Sequence, residues 1–286
     1  MIQYIKQLAL FSPIACMLTI VAIAAESEVT RTACIGNSIT MGARLSTEQS
    51  YPAKLSALLG NEYEVTNYGV GGACVNPAND KCFLFQAEMQ QILASCPQII
   101  TIMLGTNDSQ DRNWTNRSSF KANYEKLIDS LLVIQPNPRI FLCLPPPAFS
   151  QEHGIQNETI KNEVIPAIQE IAPLRQLPVI DTHTPFENHE DYYSSDGIHF
   201  DDTGTTVMAQ TIYDALKSAT AAYGIKSRSF HCLSAQAHEI KLVNIYSQSL
   251  NNALIFKSGA IVSTKGRHIQ NGKAAGIKIF IADIAK

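Results

Sequence analysis

Apolar segments of four to seven residues alternate with segments of helical periodicity from residue 29 to about residue 218. The segment 98–104 is almost continuously apolar, which is typical of a strand buried on both faces. Strands are predicted at five places, namely 32–35, 63–67, 98–104, 139–144 and 178–181. Helices are predicted between and after them, at 51–59, 83–93, 118–134, 158–171 and 203–218. The alternation predicts an α/β domain whose five-stranded parallel sheet is covered by helices on both faces.

The pattern changes after the last predicted helix. Three short apolar segments follow, at 240–245, 253–256 and 276–281, and polar loops that contain glycine join them. Strands without intervening helices indicate a small β-rich module. We therefore expect a main domain over 26–223 and a C-terminal module or extension of unknown role over 224–286.

The first 25 residues have the composition of a secretory signal peptide. Lys6 supplies a positive charge, an apolar run extends from Leu8 to Ala25, and Ala22-Ile23-Ala24 matches the small-x-small cleavage pattern. The run is also long enough to approach a membrane span, so an uncleaved N-terminal anchor is the alternative. The signal peptide predicts a protein that is secreted, periplasmic or on the cell surface, with no membrane span once the signal is removed.

The composition narrows the possible classes of protein. Of the 286 residues, 45% are hydrophobic and 16% are charged, which excludes a disordered chain. The net charge of −3, from 22 basic and 25 acidic residues, lacks the basic excess of a nucleic-acid-binding protein. Export would permit disulfides. Cys34, Cys96 and Cys143 lie in or beside apolar runs and are predicted as core residues, whereas a disulfide between Cys74 and Cys82 is left open. The sequence sets no oligomeric state.

Four polar or glycine-rich segments lie where a parallel sheet collects its functional residues, beyond the carboxyl ends of the strands. Gly36–Thr40 follows the first predicted strand, Asn67–Gly72 follows the second, and Gly105–Asp108 follows the third. Asp196–His199 lies beyond the fifth strand, just before the last predicted helix. Each segment alone is an ordinary turn sequence, but the four together predict a catalytic site.

The residue types in these segments fit acyl transfer through a serine. A serine hydroxyl is a poor nucleophile without a base, and His199 can take the proton of Ser38. Asp196 can hold the imidazole in the required tautomer and stabilise the imidazolium. The developing oxyanion needs donors, for which the backbone N–H groups of Ser38 and Gly72 and the side-chain amide of Asn107 are candidates. This chemistry requires no cofactor. No metal site is predicted, because the histidines and acids between residues 183 and 199 lack the spacing of a known metal motif.

The same four segments resemble the sequence blocks of SGNH/GDSL-family hydrolases. Gly36-Asn37-Ser38 corresponds to the first block, and the other three follow in the family's order over about residues 30–218. The resemblance implies a flavodoxin-like three-layer α/β/α fold and hydrolysis of esters through the serine, glycine, asparagine and histidine. One departure is visible. The family's Gly-Asp-Ser is Gly-Asn-Ser here, and Asn37 cannot carry the charge of that aspartate.

The substrate class is inferred from a narrower resemblance. The segment from Met103 to Trp114, together with Tyr51-Pro52, is similar to secreted members assigned to carbohydrate deacetylation, including sialate O-acetylesterase-like proteins. Trp114 would stack on a sugar there, or it would be an aromatic residue at the core edge. We therefore expect a serine esterase that removes small acyl groups, mainly acetyl, from an acylated carbohydrate or other small ester. The alternatives are a lysophospholipase, thioesterase or aryl esterase, an acyltransferase, and a non-catalytic carbohydrate-binding protein.

Overall fold

A computed structural model of the chain describes residues 29–134 and 136–223 and three short strands near the C-terminus. The predicted signal peptide and the predicted strands at 240–245 and 276–281 lie outside the described residues. The division of the chain at residue 223 therefore stays a prediction. None of the helices in the described part combines the length and apolar character that crossing a bilayer requires.

Five parallel strands form one sheet in the spatial order β2-β1-β3-β4-β5. The strands are Thr30–Gly36 (β1), Tyr63–Gly69 (β2), Ile99–Met103 (β3), Arg139–Cys143 (β4) and Val179–Ile180 (β5). The helices are Ser38–Met41 (α1), Tyr51–Leu59 (α2), Ala87–Ser95 (α3), Arg117–Leu131 (α4), Asn157–Thr159 (α5), Ile165–Arg175 (α6) and Asp202–Tyr223 (α7). The strand order is that of the flavodoxin-like doubly wound fold, so the predicted fold class is confirmed.

Helices cover the sheet on both faces because successive strand residues point to opposite sides. In β3, Ile100 and Ile102 belong to one buried cluster, which includes the apolar residues of α3, α4 and α6. Ile99 and Met103 belong to the other cluster, which is built with α2 and α7. The middle strands are therefore apolar on both faces, as their uninterrupted hydrophobic runs predicted.

Two of the predicted helices are interrupted. The helix predicted over 83–93 is a 3-10 turn, Phe83–Phe85, followed by α3, because Gln86 between them is extended (φ −78°, ψ 156°). The Gln86 side chain donates a hydrogen bond of 3.0 Å to the carbonyl of Cys82, which stabilises the extended conformation between the two helical segments. The helix predicted over 158–171 contains a π-helical turn, Ile160–Val164, ahead of α6.

The π-helical turn has a cause in the sequence. Pro166 has no N–H with which to bond the carbonyl of Asn162, four residues earlier. That carbonyl instead accepts a hydrogen bond of 2.8 Å from the Arg117 guanidinium. The proline thus permits the local widening of the helix, and α4 supplies the missing donor.

The cysteines follow the predictions in part. Cys34 and Cys143 are fully buried, as expected of core residues. The backbones of Cys74 and Cys82 pair in an isolated parallel β-bridge, but both side chains are free thiols. Cys96 departs from the core prediction, because it is half-buried at the end of α3, in a left-handed conformation (φ 46°), and is disulfide-bonded.

Three antiparallel strands are described near the C-terminus, in the order β6-β7-β8. They are Leu254–Lys257 (β6), Ala260–Ser263 (β7) and His268–Ile269 (β8). The first of them overlaps the strand predicted at 253–256, so that part of the predicted β-rich region is confirmed.

Candidate active site

Ser38 occupies the first position of α1, immediately beyond β1. The helix is capped by Asn37, whose Oδ1 accepts the N–H of Ile39 at 2.9 Å. An amide oxygen thus fills the acceptor position that a carboxylate would fill, and no charge is needed for the cap. The Asn37 side chain is buried, and its Nδ2 has no hydrogen-bond partner among the described residues. Asn37 therefore caps the helix that carries Ser38 without the charge of the family's aspartate.

The end of β2 packs directly against α1. A Cβ at Gly69 would lie 2.1 Å from the backbone nitrogen of Met41, so only glycine allows this approach. Asn67 secures the contact, because its Nδ2 donates to the carbonyl of Thr40 at 2.8 Å and its Oδ1 accepts the Gly69 N–H at 2.9 Å. These two residues of the glycine-rich segment bring the following loop alongside Ser38.

The structure brings Ser38, His199 and Asp196 into one hydrogen-bonded chain. Ser38 Oγ lies 2.8 Å from His199 Nε2, and His199 Nδ1 lies 2.7 Å from Asp196 Oδ2. The ionised carboxylate can only accept, so Nδ1 carries the proton of the neutral ring and Nε2 faces Ser38 as an acceptor. This is the arrangement that a general base requires.

The Asp196 carboxylate is buried and surrounded by donors. Its Oδ1 accepts from Ser194 Oγ at 3.0 Å and from the backbone N–H groups of Ile198 and His199, both at 2.9 Å. Burial opposes ionisation, but the hydrogen bonds from His199, Ile198 and Ser194 outweigh it and hold the pKa of Asp196 well below its usual value. Asp196 is therefore charged throughout the range in which an esterase would work.

The candidate oxyanion donors follow the ends of three adjacent strands. Gly36 of β1 pairs with Gly69 of β2 and with Met103 of β3, so the loops beyond them start at the same edge of the sheet. Among the described residues, neither the N–H of Ser38 nor that of Gly72 donates a hydrogen bond. The backbone turns at Gly72 with φ 79°, a conformation that favours glycine.

The side-chain amide of Asn107 has one hydrogen already committed. Its Nδ2 donates to the carbonyl of Ala73 at 3.0 Å, which leaves the second hydrogen for a ligand. Asn113 supports this loop, because its Nδ2 donates to the Asn107 carbonyl at 2.7 Å. The three donors named from the sequence thus lie in loops that start at the same edge of the sheet, and their role as oxyanion donors stays a prediction.

Asp108 links the loop that carries Asn107 to the loop that follows Gly72. Sequence reasoning did not single out Asp108. Its fully buried carboxylate accepts the N–H of Val75 at 2.8 Å through Oδ1, while Oδ2 has no partner among the described residues. Burial raises the pKa of Asp108 to about 7, although the N–H groups of Val75 and Asn76 oppose the shift. The position of this acid in a turn gave no signal of its burial.

Asp108→Asn is expected to change how stability depends on pH. Because the pKa of Asp108 is about 7 in the folded protein and about 4 when unfolded, the native state holds a proton that unfolding releases between these values. The contribution of Asp108 to the free energy of unfolding is greatest below about pH 4. This contribution falls by on the order of 2–4 kcal/mol as the pH rises from 4 to 7. Asparagine keeps the acceptor and cannot titrate, so the variant should lose this slope in melting temperature.

The matched control for this measurement is Asp214→Asn, at an exposed carboxylate on α7. Its melting temperatures should follow those of the wild type from pH 4 to pH 8. A parallel course for Asp108→Asn as well would show that Asp108 is already ionised in the folded protein.

Trp114 packs against the core, and among the described residues it makes no ring contact with Ser38, His199 or Asp196. Its ring lies 5.6 Å from the ring of Phe120 and packs against the buried cluster of α3, α4 and α6. The small cavity that it lines also includes Asp108 and Asn113 but neither Ser38 nor His199. The structure thus places Trp114 at the core edge, and its stacking on a sugar stays a prediction without a contact to support it.

Arg44 is a further charged residue at the site that the motifs did not indicate. Its Nε lies 2.7 Å from Asp196 Oδ2. The residue lies in the loop after α1, outside the four segments, and no spacing connected it with the site. The contact depends on how two distant loops fold together.

A flavodoxin-like sheet whose carboxyl edge joins a serine, a histidine and an aspartate defines a class of α/β proteins equipped for nucleophilic chemistry. Residues 34–207 match the GDSL-like lipase/acylhydrolase family, and the chain belongs to that family. The resemblance stated from the motifs is therefore confirmed.

Known relatives include an acetylxylan esterase of Xylanibacter ruminicola, which is 35% identical over 213 residues. The match covers 68% of this chain and 44% of the relative, so the chain spans about half the length of that protein. A lipase/acylhydrolase from Enterococcus faecalis superposes with a TM-score of 0.55 at 22% identity, covering 67% of this chain and 97% of that one. A carbohydrate acetylesterase family member from Sinorhizobium meliloti gives 0.54 at 17% identity, covering 68% and 100%. The two solved structures share the fold of the main domain.

Proposed function

We propose that this protein is a serine esterase that removes acetyl groups from carbohydrate hydroxyls through an acyl-enzyme. The observation that carries the proposal is the chain of hydrogen bonds from Ser38 Oγ through His199 to the buried Asp196 carboxylate, at 2.8 and 2.7 Å. Such a chain supplies a nucleophile, its base and the group that orients the base. Family membership and the acetylxylan esterase relative support the same reaction class.

In the acylation step, Ser38 Oγ attacks the ester carbonyl carbon and its proton passes to His199 Nε2. The carbonyl electrons move to the oxygen, and the resulting oxyanion is bound by the N–H groups of Ser38 and Gly72 and by the free hydrogen of the Asn107 amide. When the tetrahedral intermediate collapses, the bond to the sugar oxygen breaks. The leaving sugar takes the proton from His199, and the acetyl group stays on Ser38.

In the deacylation step, water takes the position that the sugar hydroxyl has left. His199 accepts a proton from the water as the water oxygen attacks the acetyl carbon, and the same donors bind the second oxyanion. Collapse breaks the bond to Ser38 Oγ, which recovers its proton from His199, and acetate leaves. Ser38 and His199 thus recover their starting protonation states, because the proton of Ser38 leaves on the sugar and the water supplies the proton that returns to Oγ. Asp196 stays ionised and stabilises the imidazolium in both steps.

The substrate proposal is tested with acetylated xylan as the probe. We expect the protein to release acetate from acetylated xylan and none from the same xylan after chemical deacetylation. Among p-nitrophenyl esters, kcat/KM should fall from acetate to butyrate to octanoate. Absence of acetate release from acetylated saccharides, or faster hydrolysis of the octanoate, would contradict the proposed substrate and favour a lipid or aryl ester.

A further inference from the structure

We propose that Arg44 is a positioning residue of this reaction, whose guanidinium holds the Asp196 carboxylate in line with His199 and shares its negative charge. The inference rests on the proposed function. Arg44 Nε lies 2.7 Å from Asp196 Oδ2, and this oxygen also receives the His199 Nδ1 hydrogen bond at 2.7 Å. A single carboxylate oxygen therefore faces both the catalytic imidazole and a permanent positive charge.

The ion pair differs from a surface salt bridge in its burial. The Asp196 side chain is 1% exposed, whereas the Arg44 side chain is 47% exposed and extends from solvent to the carboxylate. Exposed pairs contribute little, because water screens both charges. The hydrogen bonds to Asp196 from Ser194, Ile198 and His199 remain when Arg44 is lost. Removal of Arg44 therefore changes the charge beside the carboxylate more than it changes the stability of the fold.

The backbone at Arg44 has an unfavourable conformation. Arg44 has φ 70°, in the left-handed region that residues with a Cβ rarely occupy. It lies two residues after Gly42, the left-handed C-cap of α1, so two left-handed residues lie just beyond the helix that carries Ser38. Backbone strain of this kind persists when surrounding contacts stabilise it. The 2.7 Å contact between Arg44 Nε and Asp196 Oδ2 is such a contact.

Other titratable groups face the pair. Glu152 Oε1 lies 3.9 Å from Arg44 Nη2 and 3.6 Å from His153 Nε2. The His153 ring also lies 6.5 Å from the His199 ring, centroid to centroid. A pH dependence measured here therefore includes Glu152 and His153 as well as the three central groups, and the experiment must vary Arg44 alone.

Arg44 has two opposing effects on the base. Holding the carboxylate keeps Nε2 of His199 aimed at Ser38, which favours proton transfer. The positive charge of Arg44 also reduces the stabilisation that Asp196 gives the imidazolium, which favours neutral His199. The first effect acts on kcat at the pH plateau, and the second acts on the pH at which activity appears.

Arg44→Met separates these effects, because it keeps most of the apolar stem and removes the charge and the donor. We expect the plateau kcat to fall roughly 10-fold as alignment is lost. The acid limb of the profile should move to higher pH by roughly 0.5 unit, and this shift should shrink in 1 M NaCl. Arg44→Lys should restore the position of the limb but only part of kcat, because lysine lacks the planar guanidinium.

Two further variants exclude a purely structural role. Arg117→Met is the control: Arg117 Nε lies 2.9 Å from Glu163 Oε2, and none of the ion pairs of Arg117 in the described part of the chain involves Asp196 or His199. This variant should leave both kcat and the acid limb unchanged. Arg44→Gly relieves the left-handed backbone, so its melting temperature should equal or exceed that of the wild type while its activity matches Arg44→Met. A loss of melting temperature in parallel with activity would instead make Arg44 structural.

A readout independent of turnover completes the test. The titration midpoint of the His199 ring signals in NMR, assigned with His199→Gln, should move to higher pH in Arg44→Met. An unchanged midpoint together with an unchanged plateau would overturn the role of Arg44. A wild-type protein that hydrolysed no ester would overturn the proposed function, while the NMR comparison would still decide whether Arg44 shares the charge of Asp196.

Discussion

Ser38→Ala is expected to lower ester hydrolysis by at least about 10⁴-fold, because no other group in the chain of contacts can form the acyl-enzyme. Among the described residues, the hydrogen bond that this variant loses is the one between Ser38 Oγ and His199 Nε2. The melting temperature should therefore stay within about 2 °C of the wild type. Initial rates on p-nitrophenyl acetate and on acetylated xylan, with thermal unfolding of the same preparation, provide the measurement.

Ser109→Ala is a useful companion to this variant. Ser109 is a buried serine whose Oγ bonds the carbonyl of Thr106 at 2.7 Å, so its loss should lower stability and spare the chemical step. A folded Ser38→Ala protein that kept more than a few per cent of wild-type turnover would show that Ser38 is not the nucleophile.

Asn107→Ala is expected to lower kcat by roughly 100- to 1,000-fold with little change in KM. The amide is proposed to meet charge that exists only on the oxyanion, so its removal weakens the transition state and leaves ground-state binding unaltered. The acid limb of the pH profile should survive in this variant, because His199 and Asp196 are untouched. Steady-state kinetics from pH 5 to pH 9 test both statements.

The hydrogen bond from Asn107 to Ala73 supplies the rival explanation, because its loss could disturb the loop instead. In that case melting temperature would fall, and the correctly folded fraction would keep normal turnover. A variant with normal kcat and raised KM would mean that Asn107 binds only the ground-state substrate, and the oxyanion assignment would have to be withdrawn.

The sequence predicted the sheet and the meeting of its functional segments because both depend on local pattern. Apolar runs alternating with helical periodicity require parallel strands, and parallel strands place their carboxyl ends at one edge. Ser38, Gly72 and Asn107 each follow such an end within four residues, so their proximity needs no long-range information. His199 was assigned to the same edge because its segment lies beyond the strand predicted at 178–181, although the strand observed there has only two residues.

What the sequence did not predict depends on contacts between distant segments. Arg44, in a left-handed conformation after α1, contacts Asp196 in a different loop. Hydrophobic periodicity does not predict a turn of this kind. The burial of Asp108 depends on how the loop at Val75 folds over it. Pro166 is different, because a proline inside a predicted helix was a visible signal for the interruption near α6.

The most direct test of the central claim is covalent labelling of the nucleophile. The active protein is treated with a fluorophosphonate, which phosphonylates serines that an adjacent base activates, and the modified peptide is identified by mass spectrometry. The account predicts one label per chain, located on Ser38, with loss of activity in proportion to labelling and protection by excess acetylated substrate. Complete inactivation with the label on a different residue, or full activity after Ser38 is labelled, would contradict it.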